Sequence, residues 1–425
     1  MAALLLTSMV WSGHAQEKNE MDLSGEWAFQ TDVMDFRRGS LDVRYCHRLQ
    51  ESIVLPGITD DYKIGYKSPY RHLDRLTRVY EYMGPAWYQR EIEIPAAWKG
   101  KRIFLYFERT HWLSSVYVGK EEVSKIDYIS IPHNHELTQW LHPGKKELIT
   151  FCIDNRYQYD THKWDHAHSE FTQINWNGVL GEIKLVAVDP VYVDDMQVYP
   201  DIKNKSIKVK MTVRNCTEHT ASGKISFHVT GKDYRLQKEV PVTVTDSITY
   251  IEEEMFLGKD IHLWNEFHPN LYTLDCKLTS SVEGQSYAHE KSTTFGMREV
   301  EAGEDHIILN GEPIHLRGTV ENAVFPKTSY APVDDASWER VLRILKEYGM
   351  NHMRFHSWCP PAAAFRMADK LGVYLEVEMP MWGKDAQPDE KRWNFFRREL
   401  RGILKEYGNH PSFILYCNGN EITGD

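Results

Sequence analysis

The sequence predicts a multidomain chain of mixed β and α/β class: two β-sandwiches followed by an α/β unit. Three observations predict it. From Met21 to about Val188 apolar and polar residues alternate with the period of strands, and helical periodicity is nearly absent. From about Pro190 to Arg298 short strand-like runs recur at even spacing. After Glu304 helix-like and strand-like segments alternate strictly.

In the first segment, Trp87 to Pro95, Arg102 to Phe107 and Ser115 to Val118 alternate as half-buried strands. Turn signals stand at Trp98-Lys99-Gly100, Gly119-Lys120 and Pro143-Gly144. Residues 21–188 therefore read as a β-sandwich of jelly-roll type. In the second segment the strands are Ile207 to Val213, Lys224 to Val229, Glu239 to Val244 and Tyr272 to Leu278. A hundred or so residues of short strands fit an immunoglobulin-like sandwich, placed at residues 189–300.

The third segment, residues 301–425, changes period. Ser337 is the expected cap of a helix whose apolar positions are Trp338, Val341, Leu342, Leu345 and Tyr348, with Gly349 as its left-handed stop. The strand Met350 to Phe355 follows. Helix Ala362 to Leu371, stopped at Gly372, leads to strand Val373 to Val377. Helix Trp393 to Tyr407 leads past Gly408 to strand Phe413 to Tyr416. With Ile314 to Arg317 as a first strand, this is a parallel sheet with right-handed crossovers. It makes the first half of a (β/α)8 TIM barrel, a fold that takes about 250 residues when whole. Half a barrel exposes two strand edges, so the sequence is expected to be truncated.

Composition excludes some functions. A net charge of -11 lacks the basic face that phosphate neutralisation needs, so no nucleic-acid partner is expected. The 13 Trp and 23 Tyr suit either sugar stacking or β-sandwich cores. Six scattered cysteines without a CxxC pair indicate neither zinc nor a disulfide framework, and mostly free, buried thiols are expected. The apolar run Ala2 to Trp11, followed by Gly13 and Ala15, predicts a signal peptide over residues 1–15 and export to the periplasm or medium. That run is too short to span a bilayer, and no other stretch reads as a membrane span.

Three predicted strands end in polar residues that would converge on one rim: Arg354 and His356, then Glu376 and Glu378, then Asn418, Asn420 and Glu421. A parallel β/α sheet places its chemistry at that edge. A partly shielded carboxyl group there suits general-acid work. Arg354 and Glu378 suit a structural ion pair equally well.

The segment Asn409-His410-Pro411-Ser412, a hydrophobic strand, then Gly419-Asn420-Glu421 resembles the acid/base signature of glycoside hydrolase family 2, which includes β-galactosidases, β-glucuronidases and β-mannosidases. Four further pieces stand in the family's order. Trp87-Tyr88-Gln89-Arg90 and Trp176 to Gly181 resemble its sugar-binding-type N-terminal domain. Phe295 to Val300 resembles the exit from its immunoglobulin-like domain, and Leu309 to Gly318 the entry to its barrel.

The resemblance implies a retaining β-glycosidase whose two carboxylates lie about 5–5.5 Å apart. Glu421 would be the general acid/base, and Asn420 would bind the sugar 2-hydroxyl. Arg354, His356, Glu378 and Trp358 complete the candidate substrate-binding set. The nucleophile would lie on a later strand, beyond residue 425, so this chain alone is expected to be inactive. Some positions depart from the family. Thr172 stands where galactosidase and glucuronidase relatives have Asp, with Asp165 nearby. His356 sits one place early, and Thr319-Val320-Glu321-Asn322 replaces the usual first-strand exit. Pro380 stands where some galactosidases have a metal-binding His, so no metal or other cofactor is expected. The expected partner is an oligosaccharide or glycoside of unresolved sugar. The alternative reading is a non-catalytic carbohydrate-binding or decayed glycosidase fragment.

Overall fold

The computed structural model describes residues 19–34, 49–171, 175–383 and 389–422. The expected signal peptide, Cys46 and Thr172 lie outside the described residues. The chain is mostly β, arranged in several sheets.

A five-stranded and a six-stranded antiparallel sheet enclose the first core. Strand Pro85–Glu93 shows how the sequence builds it. Its alternation sends Tyr88 inward, where the ring stacks on Phe151 at 4.8 Å and 12°. Phe107 and Trp27 meet the same Phe151 at 4.8 and 5.0 Å. Trp87, one residue away, faces the opposite side of the sheet and packs on Tyr117. Strand Gly178–Val188 lies within the five-stranded sheet, paired with Arg102–Thr110. Gly178 takes φ +151°, and a Cβ there would lie 2.2 Å from the Gly57 carbonyl oxygen. That close approach is the physical requirement behind the Trp176-Asn177-Gly178 segment.

The second core lies between a three-stranded sheet, which includes Ser206–Asn215, and a four-stranded sheet, which includes Ala221–Gly231 and Tyr272–Val282. Pro241 falls within strand Tyr234–Val244, which forms the edge of its sheet, where a missing N–H is tolerated.

The four parallel strands are Gly318–Glu321, His352–Phe355, Tyr374–Glu378 and Phe413–Cys417, in sequential order. Among the described residues they form an open sheet. Helices α1 (Asp335–Glu347), α2 (Ala362–Leu371) and α3 (Glu390–Tyr407) connect them and share a core with the sheet.

Three expectations need correction. Ile314 to Arg317 is not the first parallel strand. Asn310 and Gly311, at φ +57° and +84°, make a two-residue hairpin that pairs Glu312–Ile314 antiparallel with Ile307–Leu309. Asn-Gly is the sequence best suited to that turn, and it delays the parallel strand to Gly318. The cap of α1 is Asp334, whose carboxylate accepts the Ser337 N–H at 2.8 Å. Helix α3 starts earlier than Trp393, because Asp389 caps it by accepting the Arg392 N–H. Gly349 does take the left-handed conformation after α1, at φ +75°.

The β units grip the α/β unit through specific polar contacts. Asn409 accepts the Val198 N–H at 2.8 Å and donates to the Met196 carbonyl and Thr293 hydroxyl. Arg298 donates to the Pro411 and Phe413 carbonyls at 2.8 and 2.9 Å. His410 meets Asp369 at 2.5 Å, and that carboxylate also accepts the Ser412 N–H. The segments around Arg298 and Asn409-His410-Pro411-Ser412 are thus two sides of one docking surface. From the first β unit, Arg109 reaches the Cys359 carbonyl at 2.6 Å, and Glu399 of α3 accepts the Ile129 N–H at 2.8 Å.

Of the described cysteines, Cys276 and Cys359 are buried free thiols and Cys152 is buried, while Cys216 is exposed and free. No helix among the described residues is long and apolar enough to cross a membrane.

Candidate active site

Parallel register aligns Arg354 with Glu376, and strand pleat puts Glu376 and Glu378 on one face. Arg354 Nε donates to Glu378 Oε1 at 2.6 Å and lies 3.5 Å from Glu376 Oε1. Glu378 is fully buried, and its other oxygen accepts the Ser357 N–H at 2.6 Å. Both of its oxygens are therefore engaged. Burial pushes the Glu376 carboxyl group up, Arg354 pulls it back, and the neighbouring Glu378 charge adds to the rise.

The Arg354 guanidinium also donates to Asn420 Oδ1 at 3.0 Å. That bond ties the end of the second parallel strand to the turn after the fourth. The turn is fixed a second time by a backbone bridge to Met381-Trp382-Gly383. Asn420 N–H donates to the Met381 carbonyl at 2.9 Å, and Gly383 N–H donates to the Asn420 carbonyl at 3.2 Å. Glu421 follows at φ +49° and is exposed at the rim. Its Oε2 accepts the indole N–H of Trp382 at 2.9 Å.

His356 reaches the same place from the second strand. Its Nδ1 is 2.9 Å from His166 Nδ1 and 3.1 Å from the Ser357 hydroxyl. Burial lowers both imidazoles, and His166 is held at about 4. The Trp382 ring packs against both. His166 stacks on it at 5.5 Å and 22°, while His356 meets it at 4.7 Å and 71°.

Five of the candidate residues, Arg354, His356, Glu378, Asn420 and Glu421, thus belong to one linked cluster. Trp358 does not. It is 2% exposed, packs edge-on against Phe355, and donates its indole N–H to the Glu321 carbonyl. It is a core residue of the α/β unit, with no open ring face to offer a ligand. Asn418 also stands apart, lining an apolar cavity of about 280 Å³ with Met379, Met381 and Phe396.

Two residues of the cluster, Trp382 and His166, were not among the sequence candidates. Both lie in loops, and their relevance comes from contacts distant in sequence. Asp165, beside His166, is fully buried and holds Thr161 and the Ala167 N–H, which shapes the loop that delivers His166.

Glu376, Glu378 and Cys417 lie close enough together to form a possible metal-ligand group. Arg354 is shared by both carboxylates and offsets one of their two charges.

The model of the glycosyl hydrolases family 2 matches residues 191–298. A β-galactosidase of Thermoanaerobacter pseudethanolicus is 23% identical over 339 residues, 79% of this chain and 44% of that protein. A β-glucuronidase of Sus scrofa is 21% identical over 457 residues, 99% of this chain and 66% of that protein. Among solved structures, a Bacteroides uniformis β-glucuronidase superposes with TM-score 0.76 at 19% identity, over 94% of this chain and 46% of that one. A family 2 β-galacturonidase from Eisenbergiella tayi superposes with TM-score 0.73 at 18% identity, over 95% and 65%. The chain spans about half the length of the curated relatives it matches. The fold is shared with these structures, and residues 191–298 carry the match to the glycosyl hydrolases family 2.

Proposed function

We propose that this chain is part of a retaining β-glycosidase in which Glu421 is the general acid/base. The observation that carries the reading is the placement of Glu421 at the rim of a parallel sheet, beside Asn420, His356 and the Arg354–Glu378 pair. A carboxyl group held by one oxygen, with the other open, is arranged for proton exchange with a glycosidic oxygen. Asn420 has its carbonyl oxygen committed to Arg354, which leaves its amide N–H₂ as the group that donates to a sugar hydroxyl. Glu378 has both oxygens engaged and serves to orient Arg354; the nucleophilic carboxylate is supplied by another part of the complete protein. Within this reading the two β units are a jelly-roll domain (21–188) and an immunoglobulin-like domain (189–300), and residues 301–425 are the opening half of a TIM barrel. Export rests on the leader-like sequence alone.

The substrate is a β-linked glycoside. The relatives carry galactosidase, glucuronidase and galacturonidase names, and the sugar is chosen by assaying that panel of aryl β-glycosides on the complete enzyme. Glu421→Gln should lower turnover of a poorly activated glycoside by about 10²–10⁴-fold. Added azide should restore the rate of an activated one by trapping the glycosyl-enzyme as the β-glycosyl azide. No loss on substitution, or an azide product of inverted configuration, would refute the assignment.

A further inference from the structure

The wall behind Glu421 is built from two units of the chain. Trp382 is fixed from several directions at once. Its backbone N–H donates to the Thr161 carbonyl of the first β unit at 3.2 Å, and it bridges to Asn420 on the other side. Its ring is stacked by His166, met by His356 and flanked edge-on by Trp164 at 5.6 Å. A Cβ on neighbouring Gly383 would come within 3.0 Å of the His162 ring, so the first unit also seals the backbone here.

We propose that Trp382 is the positioning residue for Glu421, assigning the acid proton to Oε1, and that His166 of the first β unit holds Trp382 in that role. This inference rests on the acid/base reading of Glu421. An indole N–H can only donate. In a carboxylic acid the carbonyl-type oxygen is the better acceptor, so a donor fixed on Oε2 leaves the proton on Oε1. The same bond restricts rotation of a side chain that sits at an exposed turn.

The imidazole pair completes the device. Two Nδ1 atoms 2.9 Å apart require that one carries hydrogen and the other does not. The Ser357 hydroxyl lies 3.1 Å from the same His356 Nδ1 and fits either assignment, since it can donate or accept. In either case the orientation of the His356 ring is set by a residue of another unit.

The test uses the complete enzyme and a series of β-glycosides whose leaving groups run from dinitrophenyl through phenyl to alkyl. Trp382→Phe keeps the aromatic packing and removes the donor. It should lower kcat for the alkyl glycoside by about 10–100-fold and lose far less with dinitrophenyl, whose departure needs little acid help. KM should change less than kcat. His166→Phe should shift the series in the same direction by at least about threefold, and it decides the matter if Trp382→Phe fails to fold. Equal losses across the whole series would mean a purely structural wall and would overturn the proposal. If Glu421→Gln itself shows no leaving-group dependence, the acid/base reading falls. If Glu421→Gln does and neither ring variant does, only the present inference falls.

Discussion

Arg354 and Glu378 form an ion pair across adjacent parallel strands, with a fully buried carboxylate at its centre. The pair organises the rim, because the same guanidinium holds Asn420 and the same carboxylate holds the turn at Ser357. Removing one partner of a buried pair leaves an uncompensated charge, which costs about 3–5 kcal/mol. Arg354 is about one-third exposed, so water offsets part of that cost. Arg354→Ala is expected to lower unfolding free energy by about 2–3 kcal/mol in urea titration. Adding Glu378→Gln should return at least half of the loss. If the double variant is no more stable than the single one, charge burial is not the cause.

Glu399 on α3 makes a second prediction, about pH. Its carboxyl group is fully buried and accepts the Ile129 N–H of the first β unit. Burial pushes it up to about 7, against the pull of that bond and of contacts at Ser130. A carboxyl group raised on folding binds more protons folded than unfolded. Its contribution is therefore present at low pH and lost as pH rises from about 4.5 through 7. Glu399→Gln should leave stability at pH 4.5 nearly unchanged and raise it by roughly 2 kcal/mol at pH 8. Urea unfolding at the two pH values checks it. A variant weaker at both would mean that the ionised form is required.

Buried histidines set the opposite slope on the acid side. In the first β unit, His133 Nε2–H donates to the Tyr128 carbonyl, and Ser114 Oγ lies 2.6 Å from His133 Nδ1 and 2.8 Å from His135 Nε2. His135 Nδ1 in turn meets the Ser124 hydroxyl. Every ring nitrogen is used, with both rings neutral. Burial lowers His133 to about 4 and holds His135 well below the ordinary histidine range. A histidine lowered on folding contributes stability that is full above about 6.5 and lost as pH falls below it, by about 1.4 kcal/mol per pH unit down to its folded value. Stability should therefore fall steeply between pH 6.5 and 4. Ser114→Ala should cost about 1–3 kcal/mol at pH 7, since it strands two buried ring nitrogens. An unfolding free energy flat across that acid range would refute the neutral chain.

Much of the fold was legible because its signals are local. The period-two alternation around Tyr88 and the left-handed stops at Gly349 and Gly372 are written within a few residues of where they act. The strand mistaken at Ile314 shows the limit. Apolar residues at 314 and 316 satisfy a strand pattern in either partnership, and the Asn310-Gly311 turn decides for the antiparallel one. Trp358 shows another. An aromatic residue near a strand end reads alike whether its ring meets a sugar or, as here, Phe355.

By itself the sequence determined the order of the elements, the rim on which Arg354, Glu378, Asn420 and Glu421 would gather, and the likeness to a glycosidase family. All of these follow from periodicity, caps and short motifs. Only the tertiary structure decided that Arg354 is shared between Glu378 and Asn420, that Trp358 is core, and that Trp382, backed by His166, stands against Glu421. The reason is physical: residues 161–166 and 382 come together with 421 through the packing of one folded unit on another, and such contacts leave no period in the chain.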